Sequence, residues 1–191
     1  MSEHATIPYT LDRRPDTGVS NTTMGLWLFL ASEVMLFGAL FSVYALLRVS
    51  ATGWPLGRDI VSVPSGAFNT ALLSAMTMVM WRARSRDAAG AVRFVGAASA
   101  LALVFLVSKG LEYRAEIAHG LVPSLSTYLA IYFTLTGFHA LHVIGGLMAN
   151  AWAIAGRAGQ AMTINRIRLL SLYWAFVDAV WIVIFLLVYL S

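Results

Sequence analysis

The stretch Thr136-Gly-Phe-His-Ala-Leu-His-Val-Ile-Gly-Gly146 sets two histidines three residues apart in the middle of an apolar run over 127–156. A helix needs roughly 17–25 apolar residues to cross the hydrocarbon of a bilayer, and this run is long enough. Imidazoles are costly in hydrocarbon, so His139 and His142 are expected to face protein and to mark a functional or assembly site. Working outward, four further apolar runs lie at 25–48, 66–82, 92–116 and 168–190. The chain therefore reads as an all-α membrane protein, a bundle of five transmembrane helices. The run at 66–82 is near the minimum length, and Pro64-Ser65 supplies a suitable helix start ahead of it.

Composition supports one membrane domain. Of 191 residues, 59% are hydrophobic and 12% charged, with a mean hydropathy of +0.75, which is too apolar for a soluble domain. Residues 1–24 form a polar tail with Pro8, Arg13, Arg14 and Pro15. The tail lacks an apolar core followed by a cleavage site, so it reads as a surface-lying or disordered segment, not a signal peptide. The five-helix domain then covers 25–191. There is no cysteine, which excludes disulfides, thiolate chemistry and Cys-ligated metals. Gly53-Trp54-Pro55-Leu56-Gly57 reads as a turn, Arg82-Ala-Arg-Ser-Arg86 as a basic loop, and Pro123-Ser124 and 156–163 as breaks between spans.

With five spans, one side of the membrane collects Arg13, Arg14, Arg82, Arg84, Arg86, Arg93, Arg157, Arg166 and Arg168. The other side has Arg48, Arg58 and Arg114. This asymmetry puts the N-terminus in the cytoplasm and the C-terminus outside. It also accounts for the net charge of +4 without nucleic acid.

Several ionisable residues fall within the spans. Glu33 lies about 13 Å into the first span and Asp178 about 15 Å into the fifth, counted from the same side. Each reads either as a residue that locks helices together or, for Glu33, as a contact to a proton route or lipid headgroup. No cation is placed at the depth of Glu33. Lys109, the sole lysine, shares one helical face with Glu112, Tyr113 and Glu116 through i, i+3, i+4, i+7 spacing. Pairing within the helix lowers the cost of burying either charge, so a structural ion pair is expected. His139 and His142 cannot both serve one haem, because axial ligands come from opposite faces. Only Asp178 is available as a further metal ligand. Hydrogen bonds to neighbouring helices are expected instead, with His142 within reach of Asp178.

Small residues at four-residue spacing, Gly38/Ser42, Gly96/Ala100, Ala98/Ala102 and Gly145/Ala149, suggest close helix contacts. Trp27, Trp81, Tyr128, Trp152 and Tyr189 are placed at span ends as an aromatic belt, with Trp174 and Trp181 inside the fifth span. No phosphate loop, dinucleotide fingerprint, nucleophile elbow or zinc-protease motif occurs. No interrupted-helix pair marks a secondary transporter. The residues alone describe polar anchors and no catalytic set.

Four segments resemble subunit III of the haem–copper terminal oxidases, in that family's order. They are Met24-Gly-Leu-Trp-Leu-Phe-Leu-Ala-Ser-Glu-Val-Met-Leu-Phe37, Lys109-Gly-Leu-Glu-Tyr113, Thr136-Gly-Phe-His-Ala-Leu-His-Val143 and Tyr173-Trp-Ala-Phe-Val-Asp-Ala-Val-Trp181. The length resembles the shorter, five-helix form. One position departs: Ala175 stands where the family usually has histidine. The resemblance implies an accessory subunit of the bacterial plasma membrane with no haem or copper of its own. Those cofactors would sit in partner subunits of a complex that reduces oxygen and translocates protons, taking electrons from cytochrome c or quinol. The chain would pack against the catalytic subunit I and subunit II, support proton uptake and bind phospholipid. Carried over by position, Glu33, Lys109, Glu112, Tyr113, His139, His142 and Asp178 would be structural, lipid-contacting or proton-route groups, none of them catalytic. A related protein associated with nitric oxide reductase shares these motifs. A cytochrome b-type anchor would need histidines on two spans, and a small transporter would transport alone.

Overall fold

The computed structural model describes residues 9–155 and 160–190. Residues 1–8 of the tail, the start of the break at 156–159 and Ser191 lie outside the described residues. Within them the chain is helical, with α1 (Asn21–Ser50), a single turn α2 (Gly57–Ile60), α3 (Val63–Ala83), α4 (Ala88–Ala118), α5 (Thr127–Ala155) and α6 (Gln160–Ile184). A π turn, Phe185–Tyr189, continues α6.

The helices outrun the apolar segments because polar residues cap them. The Ser20 side chain accepts from the Thr23 amide, so α1 begins four residues before the apolar run. Ser62 caps α3 in the same way, with Pro64 in the first turn, as Pro64-Ser65 suggested. At the end of α4, Gly120 adopts φ +78°, and the amides of Gly120 and Leu121 bond the carbonyls of Ile117 and Glu116. This double closure needs a left-handed residue, which glycine adopts without steric cost. Helix α6 starts at Gln160, so Thr163, read as part of a break, is helical.

Four segments are long and apolar enough to cross a membrane: Asn21–Ser50, Ala88–Ala118, Thr127–Ala155 and Gln160–Tyr189. Helix α3 has 21 residues, about 32 Å at 1.5 Å per residue. Its lower apolarity comes from Asn69, Thr70, Ser74 and Thr77. These side chains bond within α3 or to α4 and α6.

Helices α3 to α6 enclose a core of Leu73, Met76, Val95, Phe105, Tyr132, Trp174 and Trp181, all fully buried. Helix α6 packs against each of the other long helices. Helix α1 touches the bundle along one seam, burying only Leu30, Phe37 and Tyr44, seven residues apart. Three polar ties run along that seam: Asn165 to Thr22, His142 to Glu33, and the Tyr44 hydroxyl to the Leu187 carbonyl.

Two packing expectations are corrected. Gly38 and Gly96 have no neighbour near the position of an added Cβ, whereas at Gly66 and Gly146 a Cβ would fall 2.6 Å from Tyr189 and Trp174. Close approach thus occurs where a large ring lies over a glycine, and of the small-residue pairs only Ala98/Ala102 is in the core. The belt is one-sided. Trp27, Trp81 and Trp152 are exposed at the arginine-rich end, where Arg84 and Arg166 stack on Trp81 and Trp152. Tyr128 and Tyr189, at the other end, are buried because their hydroxyls bond the Val188 carbonyl and Glu112.

Candidate functional site

The polar side chains of the interior form separate networks at different heights. Toward the C-terminal end of α4, the Lys109 ammonium donates to Glu112 Oε1 at 3.0 Å, to the Tyr132 hydroxyl at 2.7 Å and to the Tyr189 hydroxyl at 2.6 Å. Tyr189 donates onward to Glu112 Oε1 at 2.7 Å, and Tyr132 lies 2.7 Å from Glu116 Oε1. Ser65 on α3 donates to Glu112 Oε2 at 2.8 Å. The α4 face read from i, i+3, i+4, i+7 spacing is therefore a buried cluster that joins α3, α4, α5 and the π turn. Tyr113 takes a separate partner, the Thr136 hydroxyl on α5. An ion pair taken from water is offset only when its remaining donors and acceptors are satisfied. Here all three ammonium hydrogens have acceptors.

At mid-height, His142 Nε2 lies 2.7 Å from Glu33 Oε2, joining α5 to α1. The expectation that no cation-forming residue would stand beside Glu33 is thereby corrected, as is the pairing of His142 with Asp178. Asp178 instead accepts from Ser74 on α3 at 3.4 Å. The cause is rotational: His139 and His142 are offset by only about 60° around α5, and the way α5 is turned in the bundle brings His142 against α1 and His139 between α4 and α6. His139 is fully buried between Phe105 and Trp181, with ring centroids 5.7 and 5.0 Å away. Neither of its ring nitrogens has a hydrogen-bond partner among the described residues, so the hydrogen bonds expected of it are not made there.

Nearer the arginine-rich end, Asn150 bridges three helices. Its amide nitrogen donates to Ser99 at 3.0 Å, and its oxygen accepts from Trp174 Nε1 at 3.1 Å. The sequence reading passed over Asn150, although an amide inside an apolar run is itself a signal. It also missed Tyr132, which reads as an apolar ring, and took Tyr189 for a belt residue, whereas both act through their hydroxyls. Arg13, Arg84 and Arg168 line a shared cavity of about 460 Å³ at the same end. Among the described residues, no group of three or more His, Cys, Asp or Glu could hold a metal ion.

Each of the segments that resembled a known family supplies part of these networks, and residues 15–191 match the model of cytochrome c oxidase subunit III. The chain belongs to that family. It is 36% identical over 189 residues to cytochrome bo(3) ubiquinol oxidase subunit 3 of Pseudomonas aeruginosa, covering 94% of this chain and 88% of that one. It is 32% identical to the probable cytochrome c oxidase subunit 3 of Mycobacterium leprae, covering 87% and 86%. It is also 32% identical to a heme-copper oxidase subunit I+III of Aeropyrum pernix, where the match covers 86% of this chain and 22% of the longer protein. Against this family the networks have a clear placement. Each of the four quoted segments contributes to an interhelical polar contact: Glu33 to α5, Glu112 to α3, His142 to α1 and Asp178 to α3.

Proposed function

We propose that the chain is the accessory, non-catalytic subunit III of a respiratory haem–copper terminal oxidase in a bacterial plasma membrane. The observation that carries the reading is the family match from residue 15 to residue 191. In this reading α1, α3, α4, α5 and α6 are five transmembrane spans, with the N-terminus cytoplasmic and the C-terminus outside. The one-sided girdle of arginines and tryptophans supports that orientation, since cationic loops stay on the cytoplasmic side.

The polar interior supports a structural role. Glu112, Lys109 and Asp178 bond to neighbouring helices of the same chain, as groups that hold a scaffold do. Haem and copper belong to the partner subunits, I and II. The fused subunit I+III of the Aeropyrum relative favours subunit I as the direct neighbour. Helix α1, with Trp27, Leu28, Val34, Met35, Leu46 and Val49 exposed, offers a long apolar face to that neighbour or to phospholipid. Relatives named for ubiquinol and for cytochrome c both match along nearly the whole chain. That fits a subunit lying away from the site where electrons enter. The Glu33–His142 pair, half-buried at mid-height, is the group suited to hand a proton toward the complex.

The test is purification of the tagged chain from native membranes in mild detergent. Co-purification of a haem-bearing, copper-bearing subunit I with subunit II is expected. Recovery of the chain alone, or with a nitric oxide reductase, would overturn the reading.

A further inference from the structure

Arg13 in the tail, Arg84 after α3 and Arg168 on α6 line the cavity of about 460 Å³ at the arginine-rich end. Among the described residues none of the three has an ion pair, whereas Arg14 has Asp16 at 2.9 Å. Arg84 is held in place by stacking on Trp81 at 4.2 Å, yet its Nη1 is buried without a hydrogen-bond partner among the described residues. Helix α1 starts at the cavity wall, where Ser20 caps it and Thr23 lies in the first turn. That turn has no acidic side chain, so the partial positive charge of the helix start adds to the guanidiniums.

Three guanidiniums thus converge on one space whose described lining holds no carboxylate. A guanidinium keeps its charge at physiological pH, so losing a proton cannot relieve the repulsion. A buried N–H without an acceptor is unfavourable on its own account. An anion relieves both. The rest of the wall narrows what carries that anion. Trp27 lines the cavity, is 58% exposed and begins the apolar face of α1. Leu11, Gly18 and Val19 form another part of the wall. They belong to a tail loop tied down by the Arg14 amide to the Val19 carbonyl and the Thr22 hydroxyl to the Thr10 carbonyl. A free anion covers neither surface. A polypeptide lying across the tail loop and along the start of α1 covers both and can turn an acidic side chain inward.

We propose that this cavity receives an aspartate or glutamate from a neighbouring subunit, carried on a segment that packs along the start of α1. The carboxylate accepts from Arg84 Nη1 and is flanked by Arg13 and Arg168. Hydrogen bonds between guanidinium and carboxylate are among the stronger ones, and their planar fork fixes orientation. The inference rests on the reading of the chain as a subunit of a complex, and goes beyond it by naming the contact.

Arg84→Lys and Arg168→Lys each keep the charge and bring a primary amine to the cavity. Lys109, the sole native lysine, is shielded, with its side chain 3% exposed, so it contributes little background. The complex purified through a tag on each variant is treated with a zero-length carbodiimide, which joins an amine to a carboxylate in direct contact, and the linked peptides are read by mass spectrometry. At least one variant should link the introduced amine to an aspartate or glutamate of another subunit. Arg84→Gln combined with Arg168→Gln should lower retention of that subunit by about tenfold or more. A complex that co-purifies intact but gives no such link, or a link only within the chain, overturns the inference. One phospholipid or inorganic phosphate bound per complex, and lost in the double variant, would assign the site to a phosphate group and overturn it as well. Recovery of the chain without any partner strikes the subunit reading, and the inference with it.

Discussion

His142 Nε2 on α5 stands 2.7 Å from Oε2 of Glu33 on α1, while Nδ1 of the same ring stands 2.8 Å from the Phe138 carbonyl oxygen. A carbonyl only accepts, so Nδ1 carries a proton. One further proton must then lie between Nε2 and Oε2. The pair is neutral overall whether that proton rests on nitrogen or on oxygen, and neutrality makes it tolerable between two helices in an apolar medium.

His142→Phe keeps a ring against Phe37, which lies 4.9 Å from the imidazole, but leaves the Glu33 carboxyl without its partner. The expected cost is about 1–3 kcal/mol, with faster hydrogen exchange along α1, whose seam is otherwise narrow. Glu33→Gln retains a donor to Nε2 and should cost less. Thermal unfolding and hydrogen exchange of the purified chain check both; a His142→Phe protein as stable as the parent would show that the pair does not hold α1.

Lys109→Met removes the ammonium on which Glu112, Tyr132 and Tyr189 converge. The ion pair is nearly inaccessible, with side chains 3% and 5% exposed, so solvent screening offers no relief. Breaking one side of a buried pair costs about 3–5 kcal/mol. The double substitution Lys109→Met with Glu112→Gln should recover part of that loss, since the uncompensated charge is gone. Unfolding midpoints of the two single variants and the double variant decide this, and simple additivity would contradict it.

Asp178 is held by neutral hydroxyls on α3, Ser74 at a long 3.4 Å and Thr77. Asp178→Ala should therefore destabilise by no more than a typical net hydrogen bond, about 0.5–1.5 kcal/mol. Complexes that still assemble should keep an unchanged haem spectrum. A lost haem or copper signal in an assembled Asp178→Ala complex would give this residue a cofactor role instead.

How legible the fold was depended on the kind of signal. The helices could be read because apolar runs of spanning length leave few alternatives, and their caps, Ser20 and Ser62, only moved boundaries by a few residues. The α4 stripe Lys109-Glu112-Tyr113-Glu116 could be read from spacing alone. The partners across helices could not. Residue depth says how far along a helix His142 lies, but the rotation of that helix decides whether it meets Glu33 or Asp178. That rotation follows from packing: Gly146 lies under Trp174, and the Tyr173 hydroxyl bonds the His142 carbonyl. Tyr132 was hidden for a different reason, since a tyrosine in an apolar run counts as apolar until its hydroxyl has a partner, and Tyr189, at a span end, was taken for the aromatic belt.

Membrane orientation can be tested cleanly, because the chain has no cysteine to mask. Ser85 and Ser124 are exposed residues in the turns that follow α3 and α4, and Ser→Cys changes little volume. In intact cells an impermeant maleimide should label Ser124→Cys and leave Ser85→Cys unlabelled until the membrane is opened. The reverse pattern would invert the proposed topology.

Gly146 and Gly38 both lie inside long helices, and their substitution by alanine should act in opposite directions. At Gly38 no atom lies within 4 Å of the added methyl group. Gly38→Ala then changes only helix propensity and should stabilise by about 0.5–1 kcal/mol. At Gly146 the methyl carbon would stand 2.6 Å from Trp174 Cζ2 and 2.9 Å from Tyr173 Cε1. The Trp174 ring cannot move away freely, because it is fully buried and its Nε1 donates to Asn150. Overpacking of this kind costs about 1–3 kcal/mol, and the shift would also disturb the Tyr173 bond to the His142 carbonyl, next to the Glu33 contact. Gly146→Ala should thus lower the unfolding midpoint and quicken exchange in α1, while Gly38→Ala does neither. If both variants move the midpoint the same way, backbone propensity and not the Trp174 contact governs the α5–α6 interface.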